Sequence, residues 1–287
     1  MNAKNIIAGF AGVMVAVSAF ALPVFAETIG LGTSINASAT AGGVGIHAGL
    51  SAAAEARLGT IINNAETRAD QEITRRVTAL NALGTRVNAM VKLSADEKAG
   101  LASTIQSQIT LMNNLQAQIA TDASSSATSS LKADIQSITK SYRIFALIIP
   151  QGAIAAAADR VQTTVGLFGG ISTKLQARIT DAQSAGNDTT AAAAALADMN
   201  AKTADANTQV QAAVSETASL QPDNGDATVM ASNTAALKDA RSKIIAAQAD
   251  LTAARKDAGT IVKDLLSFKA SASASSSASV TSSGTAE

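Results

Sequence analysis

A chain that transforms small molecules needs side chains that move protons, attack carbon or hold a metal, and this chain has few. Its only histidine, His47, lies in a glycine-rich stretch with no acidic partner placed close by. A triad or a His-based metal site would need such partners placed nearby, so an incidental exposed residue is the better reading. There is no cysteine, so the usual zinc ligand sets are unsupported. Asp223-Asn224-Gly225-Asp226 has residue types found in calcium loops. An EF-hand, however, needs acids at alternating positions and a distant glutamate, so a turn with Asp226 as a helix N-cap is expected instead. Glu66, Arg68, Asp70, Glu72, Arg75 and Arg76 form a dense charge cluster. Because Arg68–Glu72 and Glu72–Arg76 are i,i+4 pairs, a solvated helix face is expected, with partner binding as the other reading. No glycine-rich loop precedes a Lys-Ser/Thr pair, so no phosphate cradle is visible. No catalytic, cofactor-binding or metal-ligating residue is assigned, and no cofactor is expected.

The elements that would carry any site are helices. From about Ala52 to Phe268 the apolar residues recur at helical spacing. The first helix, residues 52–93, has a stripe from Leu58 and Ile62 through Leu80 and Val87 to Met90. Ser94-Ala-Asp-Glu97 is a capping box that starts a second helix at once, so the chain must double back there. That helix carries Leu101, Ile105, Gln108, Met112, Leu115 and Ile119, then meets the polar stretch TDASSSATSS, read as a loop. A third stripe runs Leu131, Ile135, Ile138, Tyr142, Phe145, Ile149. Pro150 and Gly152 come next, and the stripe resumes out of phase at Ile154, which predicts a break or kink at the proline. Gly186-Asn187-Asp188 reads as a stop and a new N-cap. The fifth stripe includes Leu196, Met199, Ala206, Val210 and Thr217. The sixth, Leu237 to Phe268, alternates steps of three and four, with large residues mostly alternating with alanine, as close coiled-coil-like packing requires.

Composition agrees. The 287 residues include 22 basic and 22 acidic side chains, and aromatics make up 2%. Zero formal charge argues against an electrostatic nucleic-acid binder. Apolar content is 47%, much of it alanine, which buries little area per residue. Long thin helices side by side suit this better than a round core. The reading is an all-α protein: an elongated antiparallel bundle of about six helices with coiled-coil-like seams, satisfied within one chain or between copies.

The ends differ from the middle. Lys4, the apolar run to Ala26, and small residues at Val24 and Ala26 read as a signal peptide over residues 1–26, cleaved after Ala26; a single N-terminal membrane anchor is the alternative. Residues 27–51 read as a flexible Gly/Ala/Ser-rich linker rather than a hairpin, because glycine and alanine form strands poorly. Residues 270–287 are Ser/Ala-rich, lack an apolar face, and read as a disordered tail. The bundle domain is residues 52–269.

EITRRVTALNALGTRVNAMVKLSADEK, ITKSYRIFALIIPQ followed by AADRV, and ALKDARSKIIAAQADL resemble a group of secreted helical proteins of candidate-phylum bacteria. The resemblance spans about residues 60–269. It implies a bacterial origin and carries no activity or functional residue.

One stretch stands out. SYRIFALIIPQGAIAAAADR, residues 141–160, is the most apolar part of the chain after the N-terminus. Ile144, Leu147 and Ile148 lie off the stripe of Tyr142, Phe145 and Ile149, so the helix end is apolar on more than one side. Surrounded by protein, it is a buried corner; left open, these three residues mark a contact for a partner or a membrane. The uncharged run from Ile144 to Ala158 is short for a bilayer span, so the buried corner is favoured. The expected role is non-catalytic: an exported structural or interaction protein at the cell envelope or in the extracellular space, with a protein or other envelope partner. The rival is a membrane-active bundle resembling helical pore-forming toxins, inserting residues 144–158. If the leader reading holds, exported protein begins at Glu27 by intact mass; retention of Met1 in exported material would overturn it.

Overall fold

The computed structural model describes residues 52–125, 128–140 and 142–280, with side chains described from 55 to 268. The leader, the linker with His47, and residues 281–287 lie outside them. All regular structure among the described residues is helical. The protein is all-α, with α1 (Ala52–Ala89), α2 (Ala95–Ser124), α3 (Thr128–Lys140), a π-helical turn (Ile144–Ile148), α4 (Ile149–Ser184), α5 (Thr190–Ala218) and α6 (Ala227–Val280).

Local chemistry explains most borders. Ser94 accepts from the Glu97 amide while Glu97 reaches back to the Ser94 amide, so the expected capping box starts α2. Gly186 takes a φ of +84° and lets the Asn187 amide bond back to the Ala182 carbonyl, closing α4. Asp226 accepts from the Thr228 and Val229 amides at 2.7 and 3.2 Å, opening α6. Threonine hydroxyls along the helices, such as Thr110, Thr180 and Thr252, donate to the carbonyl four residues back, so these polar helices carry few unsatisfied hydroxyls.

Four borders differ from the sequence reading. α1 stops at Ala89 rather than at residue 93, because Asp159 of α4 takes the amides of residues 91–93. TDASSSATSS is mostly helical: α2 runs through Ser124 and α3 starts at Thr128, since the residues at each end can extend a turn already nucleated. The cap of α5 falls at Thr189, while Asp188 accepts from the Thr190 amide at 3.0 Å. α6 continues to Val280 instead of ending at Lys269. Elongating a formed helix adds one hydrogen bond per residue fixed, and the alanines at 270, 272, 274 and 278 favour it.

Two buried clusters organise the packing. The smaller joins the first half of α1 (Ile62, Ala69, Ile73) to the second half of α2 (Met112, Ile119) and to α3 (Leu131, Ile138). The larger joins the second half of α1 (Leu80, Leu83, Val87) to α4, α5 and α6. Tyr142 touches both. Gln108 is buried between Ile105 of the larger cluster and Met112 of the smaller.

Cross-helix pairs define the relation of α5 to α6. Lys202 donates to Asp257 at 2.9 Å, Gln209 to Asp250 at 2.9 Å, and Lys243 to Glu216 at 2.6 Å. Positions 202, 209 and 216 advance by seven on α5 while 257, 250 and 243 retreat by seven on α6, so the two helices run antiparallel. Inside this ladder Ala206, Ala213, Ala240, Ala247, Ala254 and Ala258 are fully buried. Alanines at such positions let two backbones approach closely, and a long contact makes up for the small area each residue buries. Leu251→Asp places an unpaired charge in this contact and should cost several kcal/mol, roughly 3–5. An unchanged chemical-denaturation midpoint would show that α6 does not use this face.

Candidate interaction site at the buried corner

After α3 the chain turns sharply. Arg143 adopts a left-handed conformation, φ 46° and ψ 35°, which L-residues enter at a cost. Its side chain explains the expense: Nε donates to Asp223 Oδ2 at 2.7 Å in the turn between α5 and α6. Asp223 is itself buried, and its other oxygen accepts from the Gly225 amide at 2.9 Å. Burial pushes the Asp223 carboxyl up, but the bonds from Arg143 and Gly225, with the guanidinium charge, outweigh that and lower it below the ordinary carboxylate range.

Ile144–Ile148 then form a single wide turn in which the Ile149 amide bonds to the Ile144 carbonyl, five residues back. Pro150 falls in the first turn of α4, where an amide has no intrahelical partner to lose. The expected break therefore lies before the apolar run, at residues 142–143, and the proline begins a helix instead of ending one. Gln151 is buried and donates to the Thr217 and Leu220 carbonyls at 2.7 and 3.1 Å, satisfying the last turn of α5. Gly152 lies against α1: a Cβ there would sit 2.3 Å from Leu83 Cδ1 and 2.9 Å from Leu83 Cγ.

This turn resets the apolar face. Ile144, Leu147 and Ile148 are 1%, 2% and 3% exposed, within the larger cluster. They are thus enclosed by protein and present no open patch to a partner or bilayer in this fold. Tyr142 is half-buried and still packs against the cluster of Leu131, Ile135 and Ile138, but Phe145 is 39% exposed and Ile149 packs against the larger cluster, so the stripe from Leu131 ends at Tyr142. The left-handed residue and the wide turn rotate the start of α4 relative to α3, which accounts for the off-stripe Ile144, Leu147 and Ile148 and for the phase change at Ile154. Residues 128–184 contain the one segment among the described residues long and apolar enough to cross a membrane, and 61% of its apolar window is buried inside the fold.

Phe145 packs under α1, with the Arg75 and Arg76 guanidiniums 4.8 and 5.2 Å from its ring centre. Arg76 is buried and ion-paired with Glu72, and Arg75 lies 2.9 Å from the same carboxylate. The charge cluster is consequently not a solvated face throughout: Glu72 turns to Arg75 and Arg76 rather than Arg68, and Arg76 is covered by the corner. Asp70 accepts from Gln116 of α2 at 3.1 Å.

Asp159 is the polar residue that sequence reasoning missed most clearly. Its Oδ1 accepts from three successive amides, Val91, Lys92 and Leu93, at 2.8, 2.5 and 3.3 Å. Lys98 donates to the Met90 carbonyl at 2.7 Å beside it. A lone aspartate in the alanine-rich AIAAAADR is the signal that could have found it. At the α2–α3 turn, Asp134 is shifted upward, first by burial and then by the neighbouring Asp122 carboxylate. No group of three or more His, Cys, Asp or Glu among the described residues is arranged to hold a metal.

Arg143→Gln removes the group that keeps Asp223 ionised. Asp223 has a lowered folded pKa, so its contribution is present above the ordinary carboxylate range, near pH 4, and fades as pH falls through the folded value. The variant should be less stable than the parent by about 1–3 kcal/mol at pH 7, with the gap narrowing toward pH 3. Urea denaturation at both pH values measures it, and a gap of equal size at pH 3 would show that the ion pair is not the cause.

Comparison of the chain with protein-family models, with curated proteins and with solved structures finds no match in any of the three.

Proposed function

We propose that this is an exported, non-catalytic structural or interaction protein of the bacterial cell envelope or extracellular space, built as an elongated antiparallel helical bundle with coiled-coil-like seams. One observation carries the reading: Asp159, Gln151, Asp223 and Asn233, four of the buried polar side chains, serve the fold. Asp159 holds the α1–α2 turn, Gln151 closes α5, Asp223 secures Arg143, and Asn233 donates to the Gln221 carbonyl at 2.8 Å. Each satisfies backbone or a charge partner that burial would otherwise leave unpaired. Side chains committed in this way hold helices in register and leave their outer faces for a partner. The leader-like residues 1–26 support export, and the resemblance to secreted helical proteins supports the envelope.

The rival, a membrane-active bundle that inserts residues 144–158, would have to extract Ile144, Leu147 and Ile148 from the larger cluster and break the Arg143–Asp223 pair. A dye-release assay separates the two. The interaction protein leaves dye-loaded vesicles intact at any ratio, even if it adsorbs to them. Release that Leu147→Asp abolishes in a protein still folded by circular dichroism would sink this reading and establish the rival.

A further inference from the structure

The charges of α6 are sorted by side. At about 100° per residue, Lys238, Arg241, Lys256 and Lys263 all lie within about 40° of Ile245 on the helical wheel. The carboxylates Asp239, Asp250, Asp257 and Asp264 lie roughly 100–140° away by the same count. Three of them are engaged there: Asp250 accepts from Gln209, Asp257 from Lys202, and Asp239 pairs with Lys243. The core residues Ala240, Ala247, Leu251 and Ala254 fill the third side. Lys238, Arg241, Lys256 and Lys263 are exposed and enter no ion pair among the described residues. In a chain of zero formal charge, this face runs from Lys238 to Leu266, roughly 40 Å at about 1.5 Å per residue, without a carboxylate.

Two large apolar residues are set among these cations. Ile245 is 66% exposed and Leu266 is 40% exposed. Every carboxylate of α6 in this stretch lies on the α5 side, so what the open face lacks is an anionic counterpart. A partner that complements it must be negative, extended in one line, and able to take up isolated aliphatic side chains.

We propose that this face of α6 docks the folded protein onto an anionic lipid surface. Cations along one face of a helix meet a plane of phosphate headgroups, and Ile245 and Leu266 enter the boundary between headgroups and chains. Each cation near such a surface strengthens binding several-fold, and salt weakens it within a Debye length. Docking leaves the corner closed, so it is distinct from insertion of residues 144–158 and does not depend on how the chain is exported.

Co-sedimentation of the full chain with vesicles of mixed phosphatidylglycerol and phosphatidylcholine, against phosphatidylcholine alone, tests this. The parent should prefer the anionic vesicles, and the preference should fall steeply between low and 0.5 M salt. Replacing Lys238, Arg241, Lys256 and Lys263 together by glutamine should reduce anionic binding on the order of a hundredfold or more with the helical signal unchanged. The same four-charge change at exposed Arg57, Arg86, Lys174 and Arg178 should reduce it far less. Ile245→Trp, in a chain without tryptophan, should shift its emission blue only with anionic vesicles. Equal loss in both glutamine variants, no preference in the parent, or binding to soluble polyglutamate with none to vesicles would overturn the proposal, the last in favour of an acidic protein partner.

Discussion

The fold rests on enclosing an apolar turn. From Ile144 to Ile149 no side chain can satisfy a backbone group, yet the chain must change direction there. The wide turn keeps amides bonded along the reversal, with Leu147 to the Arg143 carbonyl at 2.8 Å and Ile149 to Ile144. Ile144, Leu147 and Ile148 fill the larger cluster. Everything that could pull the turn open is tied to a different element: Arg143 to the α5–α6 turn, Gln151 to the end of α5, Gly152 and Phe145 to α1. The left-handed conformation of Arg143 costs energy in isolation and persists because these contacts over-determine it.

A second constraint comes from composition. Alanine seams bury little area per residue, so helix pairs must be long, and long helices of low side-chain volume can slide. The polar pairs oppose sliding. Lys202–Asp257, Gln209–Asp250 and Lys243–Glu216 recur every seven residues along α5 and α6, and a slip of one turn separates all three. Individually such half-exposed pairs stabilise little; as a set they specify register, much as polar positions do in coiled coils. Asp159 does the same for α1 and α4 by fixing where α1 stops.

How much of this was legible depended on whether the cause was local. Capping by Ser94 and Glu97, the left-handed Gly186, the Asp226 cap and the buried stripes of α2 and α6 arise from near neighbours and could be read directly. The α3–α4 junction could not. Its break comes from Arg143 reaching Asp223, 80 positions away, and its shift of face from a wide turn, of which the off-stripe Ile144, Leu147 and Ile148 show the result but not the place. Pro150 misled because proline both starts helices and breaks them, and only the structure decides which. The clamp on the amides of residues 91–93 was equally hidden, since its acceptor lies on another helix. Charge was misread where packing intervened: Arg76 looks like half of a surface pair until Phe145 is laid over it.

The same reasoning separates the inner and outer faces of α6. Where α6 meets α5, each carboxylate of the ladder has a lysine or glutamine opposite, and small residues fill the space between. That face is complete, and any added charge there would be unpaired. The outer face has the opposite character. Its cations enter no ion pair among the described residues, and its isoleucine and leucine are exposed among them. Neither feature helps the fold: like charges on one helix face repel, and an exposed isoleucine gives up the stability its burial would provide. Net charge is zero for the chain as a whole, so the excess on this face reflects placement rather than composition. A cost to the isolated molecule becomes a gain only when an anionic surface is present, which is why the asymmetry of α6 bears on what the bundle meets and not on how it folds.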